Sequence, residues 1–522
     1  MVRRLAALFV LVLMLASCGG GGESVEGAGL ESEPAGGSEA AAGEGEPAPA
    51  GTLVAAIGSQ PDQLDPHSTT AYPSFQVLEN IYDTLVVPNG ETLEMEPSLA
   101  TEWETSDDEL TWTFTLRDDV TFHDGSTFDS ADVVYSFNRI IDEELSNAYR
   151  FATVEEISAP DETTVEIALA EPTPNLLANV GSFKGMAILP EGAAEDLNLE
   201  TEANGTGPFQ LDAVQPDSIE LSTFEDYWGD PAPSVDGVQF RFISEQTTAL
   251  TELQTGNVHW TDNIPPQQIE QLSNADDVTL ESVPSTDYWY MTANFEVEPF
   301  GDPQVREALS YALDREAITE AAKFGAATVN QTAIPEDSFW YTDYAPYEYD
   351  PERAQQLLDE AGVNDLTMGL MVTDEFPETV TAAEVIASQL AEVGIDVEIQ
   401  QETFATWLDR QGQGDYDAFM LGWLGNLDPF DFYHAQHTCD GGSNFHNYCN
   451  EETDQLLQDA ANETDQDERK RLYDEAVTNI VDDNSYIYLY NPDVVQAWVP
   501  EMSGYAARAD RAINFESVEL SG

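Results

Sequence analysis

The stretch from Thr379 to Gln400 constrains the fold more than any other part of the chain. A helical pattern covers Thr379–Val393, Gly394 follows, and Ile395–Gln400 reads as a strand. A helix that stops at glycine and passes straight into an apolar strand is the unit from which helix-covered sheets are built. Other segments alternate in the same way. Strands are expected at Leu53–Ile57, Leu110–Leu116, Val165–Leu169, Val238–Ile243 and Tyr486–Tyr490. Helices are expected at Ser130–Ile141, Pro303–Ala322, Pro351–Ala361 and Asp465–Val481, the third with Asp350 as N-cap and Gly362 just past its end. No internal repeat of fixed short period occurs, and the expected class is α/β.

The N-terminus has a different character. Two arginines, an apolar run from Leu5 to Ala16 and then Ser17-Cys18 make a secretory signal, since the run is too short to span a membrane. Leu15-Ala16-Ser17-Cys18 resembles the bacterial lipobox, which implies cleavage after residue 17 and acylation of Cys18. A plain signal peptide with an incidental cysteine is the alternative. Residues 18–51 are almost wholly Gly, Ala, Ser, Glu and Pro and are expected to form a disordered acidic tether.

Charge decides the partners. The chain of 522 residues carries 100 Asp+Glu against 17 Lys+Arg, a formal charge of −83, with 42% hydrophobic residues. The apolar fraction supports two or three sizeable cores. The acidic surface repels phosphate backbones and anionic headgroups, which excludes electrostatically driven binding to nucleic acid or membranes. Attachment to a membrane would have to come from the lipid on Cys18. Such a balance also resembles that of proteins from saline habitats, where screening weakens self-repulsion.

Enzyme signatures are absent: there is no GxSxG elbow, Gly-rich phosphate loop, HExxH or EF-hand pattern. Paired carboxylates mean little among 100 acids. The densest polar cluster is His434, His437, Cys439, His446 and Cys449. Its spacing fits no common zinc module, and in an exported chain Cys439 and Cys449 are an even pair suited to a disulfide. The competing reading is an exported metal-binding protein or hydrolase that uses this cluster. Trp423 is the aromatic best placed for a ligand cleft, between a strand at Ala418–Leu421 and the irregular segment Leu424–Asp431.

One long block carries a resemblance. PSLATEWETSDDELTWTFTLRDDVTFHDGSTFDSADVVYSFNR, at 97–139, is similar to the hallmark of the extracytoplasmic solute-binding proteins of the peptide and nickel class, family 5, which serve ATP-binding cassette importers. QPDQLDPH (60–67), ENIYDTL (79–85), GTGPFQL (205–211), YWGDPAPSVDGVQFRFI (227–243), VREALSYALDREAI (305–318), YDPERAQQLLDEAG (349–362) and CDGGSNFHNYC (439–449) extend it in order. Several of these blocks read as scaffold: Asp124-Gly125 as a turn with positive φ at the glycine, and Gly205-Thr206-Gly207-Pro208 as a tight lead into a strand.

The resemblance implies a two-lobed periplasmic-binding-protein-like fold of type II, the Venus-flytrap arrangement, with an extra subdomain in lobe one. Lobe one would be residues 52–262, including the insertion at about 76–206, with 491–522 returning to it; lobe two would be 263–490. It implies a binding protein without enzyme activity or cofactor, extracytoplasmic and monomeric, that hands a peptide or other small solute to membrane permease subunits. Candidate ligand-binding residues are Thr70, Tyr72, Trp289, Asn294, Asp374, Trp407, Trp423, Asn426 and Asp428. Dipeptide-binding members pair the peptide ammonium with an Asp shortly after a Gly-Trp strand end and its carboxylate with an Arg on a lobe-two loop. Here Asn426 stands at the first position, with Asp428 two residues on, and Asp374 or a neighbour at the second. An acid in place of the Arg repels a carboxylate, so a longer peptide or a cationic or neutral solute is expected in place of a free dipeptide.

Overall fold

The computed structural model describes residues 51–521 apart from 91, 184–185 and 374–375. The signal sequence, Cys18, all of the tether but Gly51, and Asp374 lie outside the described residues.

A single strand organises the sheet. Ile487–Trp498 is twelve residues long and almost wholly buried. Its first half pairs antiparallel with Tyr288–Ala293 and Ala327–Val329, and its second half with Thr279–Pro284 and Trp260–Thr261. The expected strand Tyr486–Tyr490 therefore continues through Asn491-Pro492, and the 490/491 boundary falls inside it. Pro492 is tolerated because it sits where the partners change: its carbonyl accepts from the Ser285 amide at 3.2 Å and the Ser285 hydroxyl at 2.5 Å.

On one side the sheet continues from Tyr288–Ala293 to Ala418–Trp423, Leu366–Thr373 and Ile395–Glu402. On the other it continues from Trp260–Thr261 to Thr52–Ile57, Gly237–Phe242, Ser218–Thr223 and Phe209–Val214. Thr52–Ile57 pairs parallel with Gly237–Phe242, and Leu366–Thr373 parallel with Ile395–Glu402. The helix between that second pair, Pro377–Glu392, ends just before Gly394, whose φ of 85° only glycine adopts freely. Each half of the sheet has its own apolar core. The result is an α/β fold of two lobes joined by Thr279–Ala293 and Ile487–Trp498.

Between Thr52–Ile57 and Phe209–Val214 the chain inserts a separate antiparallel sheet in the order Ala100–Thr105, Thr111–Leu116, Thr164–Leu169, Val154–Asp161. Helix Ser130–Asp142 packs on it behind a capping box of Asp129 and Asp132. Phe114, Phe122, Phe128, Val133, Phe137 and Ile167 form the core between them. The turn at Asp124 forms as expected: its carboxylate accepts the Ser126 amide at 2.8 Å, and Gly125 has φ 84°. Gly205 is required by close approach, because a Cβ there would stand 2.0 Å from the Ile81 carbonyl oxygen.

The expected helix Pro303–Ala322 is two helices, Pro303–Tyr311 and Arg315–Lys323. Asp314 breaks the run by capping the second, accepting from the Ala317 amide at 3.0 Å.

Candidate functional site

Where the sheet changes partners, one carboxylate ties three segments together. Asp287, fully buried, lies in the short connector between Thr279–Pro284 and Tyr288–Ala293. Its Oδ1 accepts the Gly425 amide at 2.6 Å, its Oδ2 forms an ion pair with Arg511, and its carbonyl accepts Asn491 Nδ2 at 2.7 Å. Arg511 comes from the C-terminal segment and is held at φ 64°, a left-handed conformation uncommon for residues other than glycine. Burial works against its charge, and the Asp287 carboxylate more than offsets this, so its pKa is raised. Its guanidinium lies 5.9 Å from the Tyr72 ring.

Two walls flank this joint. On the lobe-one side, helix Tyr72–Leu78 contributes Tyr72 and Gln76, and Asp262 follows strand Trp260–Thr261. Gln76 Nε2 donates to Asp262 Oδ2 at 2.6 Å. On the lobe-two side, Trp289 packs edge-on against Phe376 at 5.3 Å, and Lys323 Nζ lies 5.6 Å from the indole while it bonds Glu378 Oε1 at 2.6 Å. Burial opposes the Glu378 charge, and Lys323 nevertheless holds its carboxyl below the ordinary range. Gly422 opposite is required, because a Cβ there would stand 2.8 Å from the indole.

Around the same joint lie buried polar atoms without a hydrogen-bond partner: Thr286 Oγ1, Trp289 Nε1, Asn426 Nδ2 and Tyr490 OH. Thr286 precedes Asp287, and Asn426 follows the Gly425 that bonds it. A bulge in the strand pair sets Tyr490 beside Trp289, with ring centroids 6.5 Å apart. Buried polar groups are normally satisfied, so these four atoms are open to further hydrogen bonds.

The candidate residues divide on this map. Tyr72, Trp289 and Asn426 stand at the joint, and Trp423 at the end of its strand pairs with Tyr288 beside it. Thr70 is exposed, two residues before Tyr72. Of the other three, Trp407 sits in the core with its Nε1 unpartnered, and Asn294 and Asp428 have structural partners. Trp407 is fully buried, packed edge-on against Phe419 at 5.1 Å, because its helix turns that face to the core. Asn294 sits at the far end of strand Tyr288–Ala293, about 17 Å along from Trp289 at a strand's rise. There it accepts from Asn447 Nδ2 at 3.1 Å and donates to the Gly414 carbonyl at 3.3 Å. Asp428 caps helix Pro429–His437 and takes both Arg469 nitrogens, at 2.8 and 2.6 Å, so its charge is neutralised within the fold. Sequence reasoning missed Asp287, Arg511, Asp262 and the Lys323–Glu378 pair. The scarcity of arginine was a signal: with 17 Lys+Arg in the whole chain, each cation was worth following.

The His–Cys cluster does not converge on one point. Cys439 and Cys449 are joined by a disulfide. His437 Nδ1 and His446 Nε2 both meet the Ser485 hydroxyl, at 2.9 and 2.7 Å, and His437 Nε2 meets Tyr488 OH at 3.1 Å. Both imidazoles are fully buried, and burial lowers their pKa values, that of His446 to about 3. His434 stacks on Phe430 instead. The thiolates that a metal reading needs are consumed in the disulfide.

Comparison with known proteins agrees with this architecture. The profile described as bacterial extracellular solute-binding proteins, family 5 Middle, matches residues 94–444. The dipeptide-binding protein of Escherichia coli (strain K12) is 29% identical over 512 residues, covering 90% of this chain and 94% of its own. The solved structure of a periplasmic binding protein from Helicobacter pylori in complex with the peptide STSA has a TM-score of 0.80 at 29% identity, covering 90% of this chain and 98% of its own. A Campylobacter jejuni protein in complex with Ni(L-His) shares the fold, with a TM-score of 0.80 at 22% identity over 90% of this chain and all of its own. The homologues are solute-binding proteins that work outside the cytoplasm, and the chain belongs to the family 5 bacterial extracellular solute-binding proteins, the substrate-binding components of ATP-binding cassette importers.

Proposed function

We propose that this protein captures a peptide or similar small solute between its two lobes and presents it, lobes closed, to membrane permease subunits. The observation that carries this reading is the joint around Asp287, where four buried polar atoms from both crossing segments and from the 424–428 loop lack partners. A solute touching both lobes binds the closed form better and shifts the open–closed equilibrium by that difference. At Asn426 the side chain is a neutral amide whose Nδ2 is unpaired, so it offers a hydrogen bond to the solute and no charge. A relative binds dipeptides by its name, but the neutral amide at 426 offers no charge to pair a peptide ammonium, and an acid at 374 would repel a peptide carboxylate, which favours a longer peptide or a cationic or neutral solute here.

The same reading makes the protein a monomer tethered through a lipid on Cys18, with Cys439–Cys449 oxidised in the extracytoplasmic compartment. Native mass spectrometry of the protein as isolated tests it. The expected result is one small molecule bound per chain and a Cys18-terminated, acylated mature form; a ligand-free chain that takes up no solute refutes the capture reading.

A further inference from the structure

Two ion pairs hold charges at the joint. Arg511 is engaged with Asp287, and Lys323 with Glu378. Asp262 is partly exposed, accepts from Gln76, and enters no ion pair among the described residues. Its surroundings are aromatic. Tyr72 and Tyr505 both feel its charge, and Tyr505 packs edge-on against Trp260 at 5.9 Å. Both tyrosines are partly exposed, unlike the fully buried Tyr288, Tyr290 and Tyr488 of the lobe-two core.

We propose that Asp262 receives a positively charged group of the solute, an ammonium or guanidinium, between the Tyr72 and Tyr505 rings. A carboxylate beside two tyrosines is the chemistry that recognises such a group, through a charge-assisted hydrogen bond and cation–π attraction. A second observation points to an occupant. The Tyr505 hydroxyl donates to Gln496 Oε1 at 2.8 Å, and Gln496 Nε2, fully buried, has no partner. The same occupant would thus offer a cation to Asp262 and an acceptor to Gln496, as the backbone beside a peptide's first ammonium does. Burial also pushes the Asp262 carboxyl up to about 6, against the opposing pull of the Arg511 charge and of hydrogen bonds from Gln76 and Tyr72. Arg511, Glu79 and Arg508 are the other charges near these rings; Arg511 is held by Asp287 and Arg508 by Asp510. This assignment moves cation recognition from the loop after Trp423 to the wall of lobe one.

The inference rests on the interlobe cleft being the solute site, and the test separates the two. The full chain and its Asp262→Asn and Asp262→Glu variants are incubated with a peptone digest and with the same digest after N-acetylation, and retained species are identified by mass spectrometry. The wild type is expected to retain peptides from the free pool and, from the acetylated pool, only those that contain arginine. Asp262→Asn is expected to lose occupancy by roughly tenfold to a hundredfold, as removal of a charged hydrogen bond does, and Asp262→Glu to recover part of it. Thermal melting of each variant shows that it is folded. Retention of species without any cationic group, or equal retention by folded Asp262→Asn, overturns the assignment while leaving capture standing. Retention from neither pool overturns the peptide-capture reading and this assignment with it.

Discussion

On the proposed closure, the Arg150–Asp431 ion pair is what meets between the lobes, and its removal has a calculable effect. Arg150 lies in the inserted subdomain and Asp431 in the first turn of helix Pro429–His437, in the other lobe. Their side chains meet at 3.2 Å and each is only 8% exposed. Arg150 also donates to Asn147 and Asn179, which hold the guanidinium in place. In an open form both charges would be solvated, so the pair acts on closure and not on folding of either lobe. Removing one partner of a buried pair costs about 3–5 kcal/mol, because the other charge stays buried alone. Taking about 3 kcal/mol, Arg150→Met shifts the closed-to-open ratio by roughly a hundredfold, and solute affinity falls by the same factor where binding requires closure. The double variant Arg150→Met/Asp431→Leu removes the stranded charge and is expected to recover most of the loss. Single-molecule fluorescence transfer between labels on the two lobes reads the closed fraction directly. An unchanged closed fraction in Arg150→Met, or a double variant no better than the single, would show that this pair does not hold the lobes together.

Further predictions concern stability. Burial lowers the pKa of all six histidines, with His67 and His123 at about 4 and His446 at about 3. Their contribution is present above the unfolded value of 6.5 and lost as pH falls below it, by up to about 1.4 kcal/mol per pH unit per histidine; urea melts at pH 7.5 and 5 check this, and the slope should shrink in His446→Gln. Asp262 has the opposite sign: its raised carboxyl favours the folded state below its unfolded pKa, and that advantage fades as pH rises through about 6. Asp262→Asn should therefore raise stability at pH 8 by up to about 3 kcal/mol, measured in the same melts, while weakening solute binding. Replacing both Cys439 and Cys449 by Ser opens a loop spanning 10 residues of sequence separation and should cost roughly 3 kcal/mol in denaturant unfolding under non-reducing conditions.

The fold was legible where local chemistry decides it. Asp350, Pro351 and Gly362 bound their helix as expected, with Asp350 accepting the Arg353 amide at 2.9 Å and Gly362 at φ 72°. Helix, glycine and strand at 377–402 form as expected. Local rules failed where tertiary pairing took over, as in the strand that runs through Pro492 because its partners exchange there. The site was legible only in part. Tyr72, Trp289 and Asn426 were named from the resemblance, and the fold sets them near the Asp287–Arg511 pair. Asp287 and Arg511 are 224 residues apart, and no local pattern announces that one neutralises the other. Trp407 and Asp428 are ambiguous for a related reason: a tryptophan and an acid look the same in sequence whether they face a solute, the core or an arginine 41 residues on.

On the proposed reading the solute lies between the Tyr72–Asp262 wall and the Trp289–Asn426 wall. A crystal structure of the solute-loaded protein tests it most directly. Density is expected in that space, with polar atoms of the solute bonded to Asn426 Nδ2 and Trp289 Nε1 and a cationic group at Asp262. Solute bound elsewhere, with those atoms still unpartnered, would contradict it.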